Sequence, residues 1–441
     1  MLAFRDVSGA DYYLTYPRLF MHLLFRSTRI AQKGNTNHGL RLDVRVVNGL
    51  ISEIGKDLNV GDAQEIVGQD LWMCAGWVDT CARFREPGQE NKETLISGAQ
   101  AAFRGGFTRV LIQPDTQPVL QTRGEVEAVY QLAKGLPIDI YVAGALTRDL
   151  KGHEITEMFD LKRAGVRMFS QADAPIDSSR TLGLALQYAQ QMGCPVQLVP
   201  VDSDLARGGL MHEGQMSLRL GLKGIPDLAE HIQVARDLAV LAYFGGQLHF
   251  TKISSAASLK PIRAARNAGL DVTCGVSSAH LFHCDEDLAH FETEYKLWPP
   301  LRSRLDREQL RLGVLDGSID VICSDHMPED EQGKDVEFAR ADYGMASLEA
   351  VFLQIHHVFP EESELDAAIE ALTSRPARRI GIEQSRIEPG AEAELMVFDR
   401  ADQTQFNRSE CATLGVNLPY HGQLFSGRMR AVVFKNQTYL A

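Results

Sequence analysis

The stretch LWMCAGWVD, residues 71–79, is an apolar run that ends on an acid and leads straight into TCARFREPGQENKET, residues 80–94. Seven further runs of this kind follow at intervals: FTRVLIQPD, IDIYVAGALT, GVRMFS, PVQLVPVD, GQLHFTKIS, DVTCGVSS and SIDVICSDH. They are rich in Val and Ile and mostly do not alternate with polar residues, as strands buried on both faces require. Longer amphipathic segments lie between them, such as DSSRTLGLALQYAQQM and DLAEHIQVARDLAVLAYF. In the latter, Leu228, Ile232, Ala235, Leu238 and Ala239 follow the 3.6-residue period of an amphipathic helix. Eight strand–helix units in series predict an α/β fold, a (β/α)8 barrel over residues 71–385.

Outward from the barrel the pattern changes. RLDVRVVNGLISEIG on one side, and AELMVFDR and MRAVVFKNQTYLA on the other, show short alternating strands with turn signals. Residues 18–70 and 386–441 are therefore expected to pair into a small composite β-sandwich domain, and residues 1–17 to form an extension on the surface. The 441 residues carry a formal net charge of -13, which argues against nonspecific nucleic-acid binding and against anionic membranes. No run of 18 apolar residues signals a membrane span. Seven scattered cysteines suggest reduced thiols in a cytoplasm.

In such a barrel, chemistry belongs at the carboxyl ends of the strands. The residues there resemble the dihydroorotases of the amidohydrolase superfamily. The likeness is carried by REPGQENKETLISGAQAAFRGGFTRV, HEGQMSLRLGLKGIPDLAE, WPPLRSRLDREQLRLGVLDGSIDVICSDHMP and LTSRPARRIGI, and it covers almost the whole chain. It implies the same barrel-plus-sandwich fold, and it implies hydrolysis of a cyclic amide by a zinc-activated water. Zinc needs three or more side chains with free lone pairs.

The family's ligand positions are degenerate here. Asp-x-His-x-His after the first strand becomes Asp79-Thr-Cys81-Ala-Arg83, and a guanidinium has no lone pair to give. The acid after the fourth strand falls at Ala172, where Asp173 substitutes only through a register shift, and the histidine after the fifth falls at Val199. His249 keeps the first histidine after the sixth strand, but the ligand position is Lys252. Asp325, after the eighth strand, keeps its identity. At the substrate positions Arg85 keeps the arginine, whereas Asp115, Trp298 and Glu329 replace two asparagines and a histidine. No catalytic residue and no metal are therefore expected, with Asp325 vestigial.

Arg83 and Lys252 either point into the barrel mouth and pair with Asp325, or snorkel to solvent at the rim. Arg85 and Asp79 either brace the REPG turn or retain anion binding. His326 is expected to support neighbours by hydrogen bonding. SSRTLGLALQYA, GGLMHEGQMS and HFTKISSA are most similar to a noncatalytic branch of the family, whose members assemble with the catalytic chain of aspartate transcarbamoylase. That likeness implies a structural subunit in pyrimidine biosynthesis, in homo- and hetero-oligomers. The alternatives are an active zinc-dependent dihydroorotase or cyclic amidohydrolase, with a site rebuilt from Cys81, Asp325 and the histidines near the seventh strand, and a sensor that binds a small molecule in the emptied pocket; His280, His283 and Cys284 are a separate candidate metal site, read otherwise as structural polar groups.

Overall fold

The computed structural model describes residues 22–441 together with 4–5 and 11–12. The extension expected over 1–17, and the first residues of the composite domain, lie largely outside the described residues. Each of the eight apolar runs contributes one parallel strand to a single sheet. The strands are β1 (Trp77–Ala82), β2 (Phe107–Ile112), β3 (Asp139–Ala145), β4 (Met168–Ser170), β5 (Val196–Leu198), β6 (Leu248–Phe250), β7 (Val272–Ser277) and β8 (Val321–Cys323). The sheet curls until its edges meet: Ala82 bridges His326, and the Arg83 amide donates to the His326 carbonyl at 2.9 Å. Asp79 secures this seam. Its carboxylate accepts the Ser324 amide at 3.0 Å and the Cys81 amide at 3.2 Å, as well as the Ser324 hydroxyl.

The strands stack the barrel interior in layers. At the amino end Val78, Leu111, Ala143 and Met168 pack against Ala377 and Ile380, at the end of the SRPARR helix. Above them lies a polar layer, in which Ser170 donates to Gln113 at 2.7 Å and Gln113 and Gln197 both donate to the Thr80 carbonyl. The flanks meet in a second sheet, where Leu395–Gln405 joins Leu71–Ala75, which in turn joins His22–Ile30.

One expectation needs correction. LWMCAGWVD is two strands, not one: Leu71–Ala75 belongs to the second sheet, and the barrel begins at Trp77 rather than at residue 71. Between them a side chain at Gly76 would meet Thr108 at 2.3 Å, so only glycine lets the chain turn from one sheet into the other at that contact. The segment read as a helix is one, Leu228–Phe244. Of its periodic residues only Leu238 is buried, while Leu228, Ile232, Ala235 and Ala239 face outward.

Candidate functional site at the barrel mouth

The loops above β1, β4, β6 and β8 bring Arg83, Asp173, Lys252 and Asp325 together. Lys252 is fully buried. Its ammonium has three protons and lies near three oxygens: Asp173 at 2.6 Å, the Trp298 carbonyl at 2.9 Å and Asp325 at 3.0 Å. Arg83 contacts Asp115 at 2.7 Å, Asp173 at 2.8 Å and Asp325 at 3.4 Å. The approach to Asp173 is a close ion contact rather than an aligned hydrogen bond. Both cations therefore turn inward rather than snorkel, and Asp325 pairs with both.

Burial opposes every charge here, and the partners decide the outcome. Burial works against the charge on Lys252, yet Asp173 and Asp325 hold its pKa above the ordinary lysine range. Arg83 is raised in the same way, chiefly by Asp115 and Asp173. Burial pushes Asp173 up, but Arg83 and Lys252 outweigh it, and its carboxyl sits below the usual range. For Asp325 burial wins and takes it to about 6. The two cations face three acids, so the cluster carries no surplus positive charge with which to hold a carboxylate.

Asp173 is the residue that reading the sequence left at the margin. Ala172 has φ 50°, in the left-handed region, and this turn of the backbone carries the next side chain to the cations. Lys252 and Asp325 have φ 56° and 50°. Left-handed backbone at non-glycine residues costs on the order of 1 kcal/mol each, and it persists where surrounding contacts over-determine it. Here the ion cluster supplies those contacts.

Next to it, Arg85 also has an internal partner. It pairs with Glu329 and donates to the Pro328 carbonyl at 3.2 Å and to Gln89 at 3.3 Å. Lys92, a residue without a motif signal, pairs with Glu329 as well and with Asp342 at 3.2 Å. Of the two roles open to Arg85, this geometry matches bracing, because its fork is already spent on a buried carboxylate. His326 Nε2 lies 3.2 Å from Glu93 with both side chains inaccessible, and Glu93 also accepts from Thr413.

The remaining candidates are dispersed. The Trp298 indole stands beside Val199, Val201 and Tyr343 and walls a cavity of about 320 Å3 next to Asp173. Only its carbonyl joins the ions. Cys81 Sγ lies 3.9 Å from Asp325. His280 bonds Ser277 at 2.7 Å and the Pro299 carbonyl at 3.1 Å, while His283 bonds Tyr420 at 2.8 Å and Asp287 at 3.2 Å. Cys284 lies by Arg307 at 3.8 Å. These three residues have separate partners and do not converge.

The donor set does not fit zinc. Two cations already hold Asp325 and Asp173, Ala172 and Val199 offer no donor, and among the described residues no group of three or more His, Cys, Asp or Glu could hold a metal. Likewise, no helix among the described residues is long and apolar enough to cross a membrane.

The dihydro-orotase-like family model matches residues 72–258. The dihydroorotase of Pelotomaculum thermopropionicum is 36% identical over 87% of this chain and 91% of its own. That of Deinococcus radiodurans is 36% identical over 87% and 91%. Among solved structures, the L-hydantoinase of Arthrobacter aurescens superposes with a TM-score of 0.81 at 19% identity, covering 95% of this chain and 96% of that one.

Proposed function

Because the chain belongs to the dihydroorotase-like family of the amidohydrolase superfamily, we propose from that premise that it is a catalytically silent member of it, kept for its shape. One observation carries this reading: Arg83 and Lys252 occupy the barrel mouth and bind the carboxylates a metal would need. A metal-bound water has no donors to hold its ion there, and Arg85, the residue suited to an anionic substrate, is already neutralised by Glu329. The relatives named dihydroorotase share the frame, and this chain departs from the family pattern at the positions that do the chemistry.

The role we infer for the silent barrel is that of a structural subunit beside the catalytic chain of aspartate transcarbamoylase. Its support is the likeness of residues 178–189, 208–217 and 249–256 to the noncatalytic branch of the family. The rebuilt-site alternative requires Cys81, Asp325 and the histidines near β7 to share one ion, and those histidines are spent on Ser277, Tyr420 and backbone.

Metal analysis of the purified chain, paired with an assay of carbamoyl-aspartate cyclisation, tests the first claim. The expected result is less than one equivalent of zinc and no turnover. Stoichiometric zinc with turnover that Asp325→Ala abolishes overturns it. Affinity purification of the tagged chain from its own cells tests the second: the transcarbamoylase is expected to co-purify, and recovery of this chain alone overturns the partnership.

A further inference from the structure

A cavity of about 300 Å3 lies between the first barrel helix and the second sheet. It shares no lining residue with the ion clusters or with the cavity beside Trp298. Its apolar lining is largely aromatic: Phe352 from the helix Val351–Val358, Phe406 just after the strand Leu395–Gln405, and Tyr439 from the strand Gln437–Leu440, with Met429 beside them. Two opposite charges line it as well, and neither has an ionic partner. Arg104 ends the helix Leu95–Arg104, donates to the Glu410 carbonyl at 2.8 Å and lies 5.8 Å from the centre of the Tyr439 ring. Among the described residues no carboxylate comes within ion-pair distance of it. Glu349 accepts the amides of Ala412 at 2.9 Å and Thr413 at 3.2 Å, and among the described residues it meets no cation. Burial drives its carboxyl up to about 7, against the pull of those two amides and of an Arg104 too far away to pair. The other charges at the cavity have partners: Glu410 accepts the Asn407 side-chain amide at 2.8 Å, and Arg428 lies 3.8 Å from Asp402.

We propose that this cavity binds a free α-amino acid with an aromatic side chain, its carboxylate on Arg104 and its ammonium on Glu349. The pair of unmatched charges selects that class. An arginine and a glutamate that line one cavity without touching each other leave their attraction unused, and each gains most from a partner that also excludes water. A ligand with one charge serves only one of them: a plain carboxylate meets Glu349 as a like charge, and a plain amine meets Arg104 as one. A zwitterion serves both. The guanidinium presents a planar fork that matches a carboxylate. A carboxylate offers about four acceptor directions, so the two amides on Glu349 leave room for an ammonium proton. The third part of the ligand follows from the walls. Sites for small molecules start at roughly this volume, and Phe352, Phe406 and Tyr439 give one ring apolar and edge-to-face contacts.

Equilibrium dialysis of L-phenylalanine against the full chain tests the proposal, and saturable binding of one equivalent is expected. Competition on the wild type reads the charge requirement and depends on no variant's folding. 3-Phenylpropanoate lacks the ammonium and phenethylamine lacks the carboxylate. Each is expected to bind at least about tenfold more weakly, the effect of losing one charge-assisted contact. Variants then locate the site. Arg104→Gln and Glu349→Gln are each expected to weaken L-phenylalanine by a similar factor, whereas Arg207→Gln, at the cavity beside Trp298, is expected to leave it unchanged. The absence of saturable binding overturns the proposal, as does either half-ligand binding as tightly as L-phenylalanine. Weakening by Arg207→Gln in place of the two cavity variants overturns it too.

Discussion

Two ion clusters sit over β1 and β8, and they are built in opposite ways. In the first, two cations share three acids: Arg83 and Lys252 reach Asp115, Asp173 and Asp325. In the second, two cations share one buried acid: Arg85 and Lys92 hold Glu329. Both routes lead to the same electrostatic end, because every strong charge at the mouth is answered from within the chain. They differ in depth. Lys252 is inaccessible and has no alternative partner in water, whereas the Lys92–Asp342 edge of the second cluster is open to solvent. A buried ion pair is weak evidence of net stabilisation, but breaking one by removing a single partner is costly. The first cluster should therefore behave as a unit and the second as a set of separable contacts.

The largest expected effect tests this directly. Lys252→Met keeps the length and apolar stem but leaves Asp173 and Asp325 with Arg83 alone, so it should cost about 3–5 kcal/mol. Urea unfolding measures it, as a lower midpoint with an unchanged slope. A loss below about 1 kcal/mol would erase the distinction between the clusters.

Glu329→Gln comes next, at about 2 kcal/mol, the value of a hydrogen bond to a charged group. Arg85 would keep the Pro328 carbonyl and Gln89, and Lys92 would keep Asp342. The same substitution uncovers an arginine fork, so acetate should raise the melting temperature of Glu329→Gln and leave the wild type unmoved. Equal acetate response in both proteins would mean that Glu329 does not occupy the Arg85 fork.

How much of this was legible in the sequence follows from what each feature depends on. The eight strands were readable because burial on both faces leaves a run with no polar alternation. The poverty of donors among Cys81, Arg83, Ala172, Val199 and Lys252 was readable because lone pairs belong to residue types. Where Arg83 and Lys252 point was not, since both side chains are long enough to reach either the mouth or the rim. Asp173 was obscured because its direction depends on a left-handed Ala172, which no local propensity announces. The stripe from Leu228 to Ala239 was seen, but periodicity gives only the existence of an apolar face. It does not say whether that face meets the barrel or turns outward.

Beneath both clusters lies a group that separates depth from pairing. His249 is fully buried with Nδ1 2.8 Å from the Thr273 hydroxyl, and it faces no acid. Burial, with minor help from Arg379 and Arg266, drives its pKa down to about 3. In the unfolded chain it titrates near 6.5. The folded value is the lower one, so this residue's contribution is fully present above about pH 6.5. It is lost as pH falls toward 3, because the unfolded state then binds a proton the folded state refuses. The slope is about 1.4 kcal/mol per pH unit. Other groups titrate in the same range, so the quantity to measure is the stability difference between wild type and His249→Gln from pH 7 to pH 5. Wild type should lose ground at close to that slope. A difference that stays flat with pH would mean the imidazole takes up a proton inside the fold. In that case the barrel interior would tolerate a lone charge, and the paired acids above it would not be what keeps Arg83 and Lys252 in place.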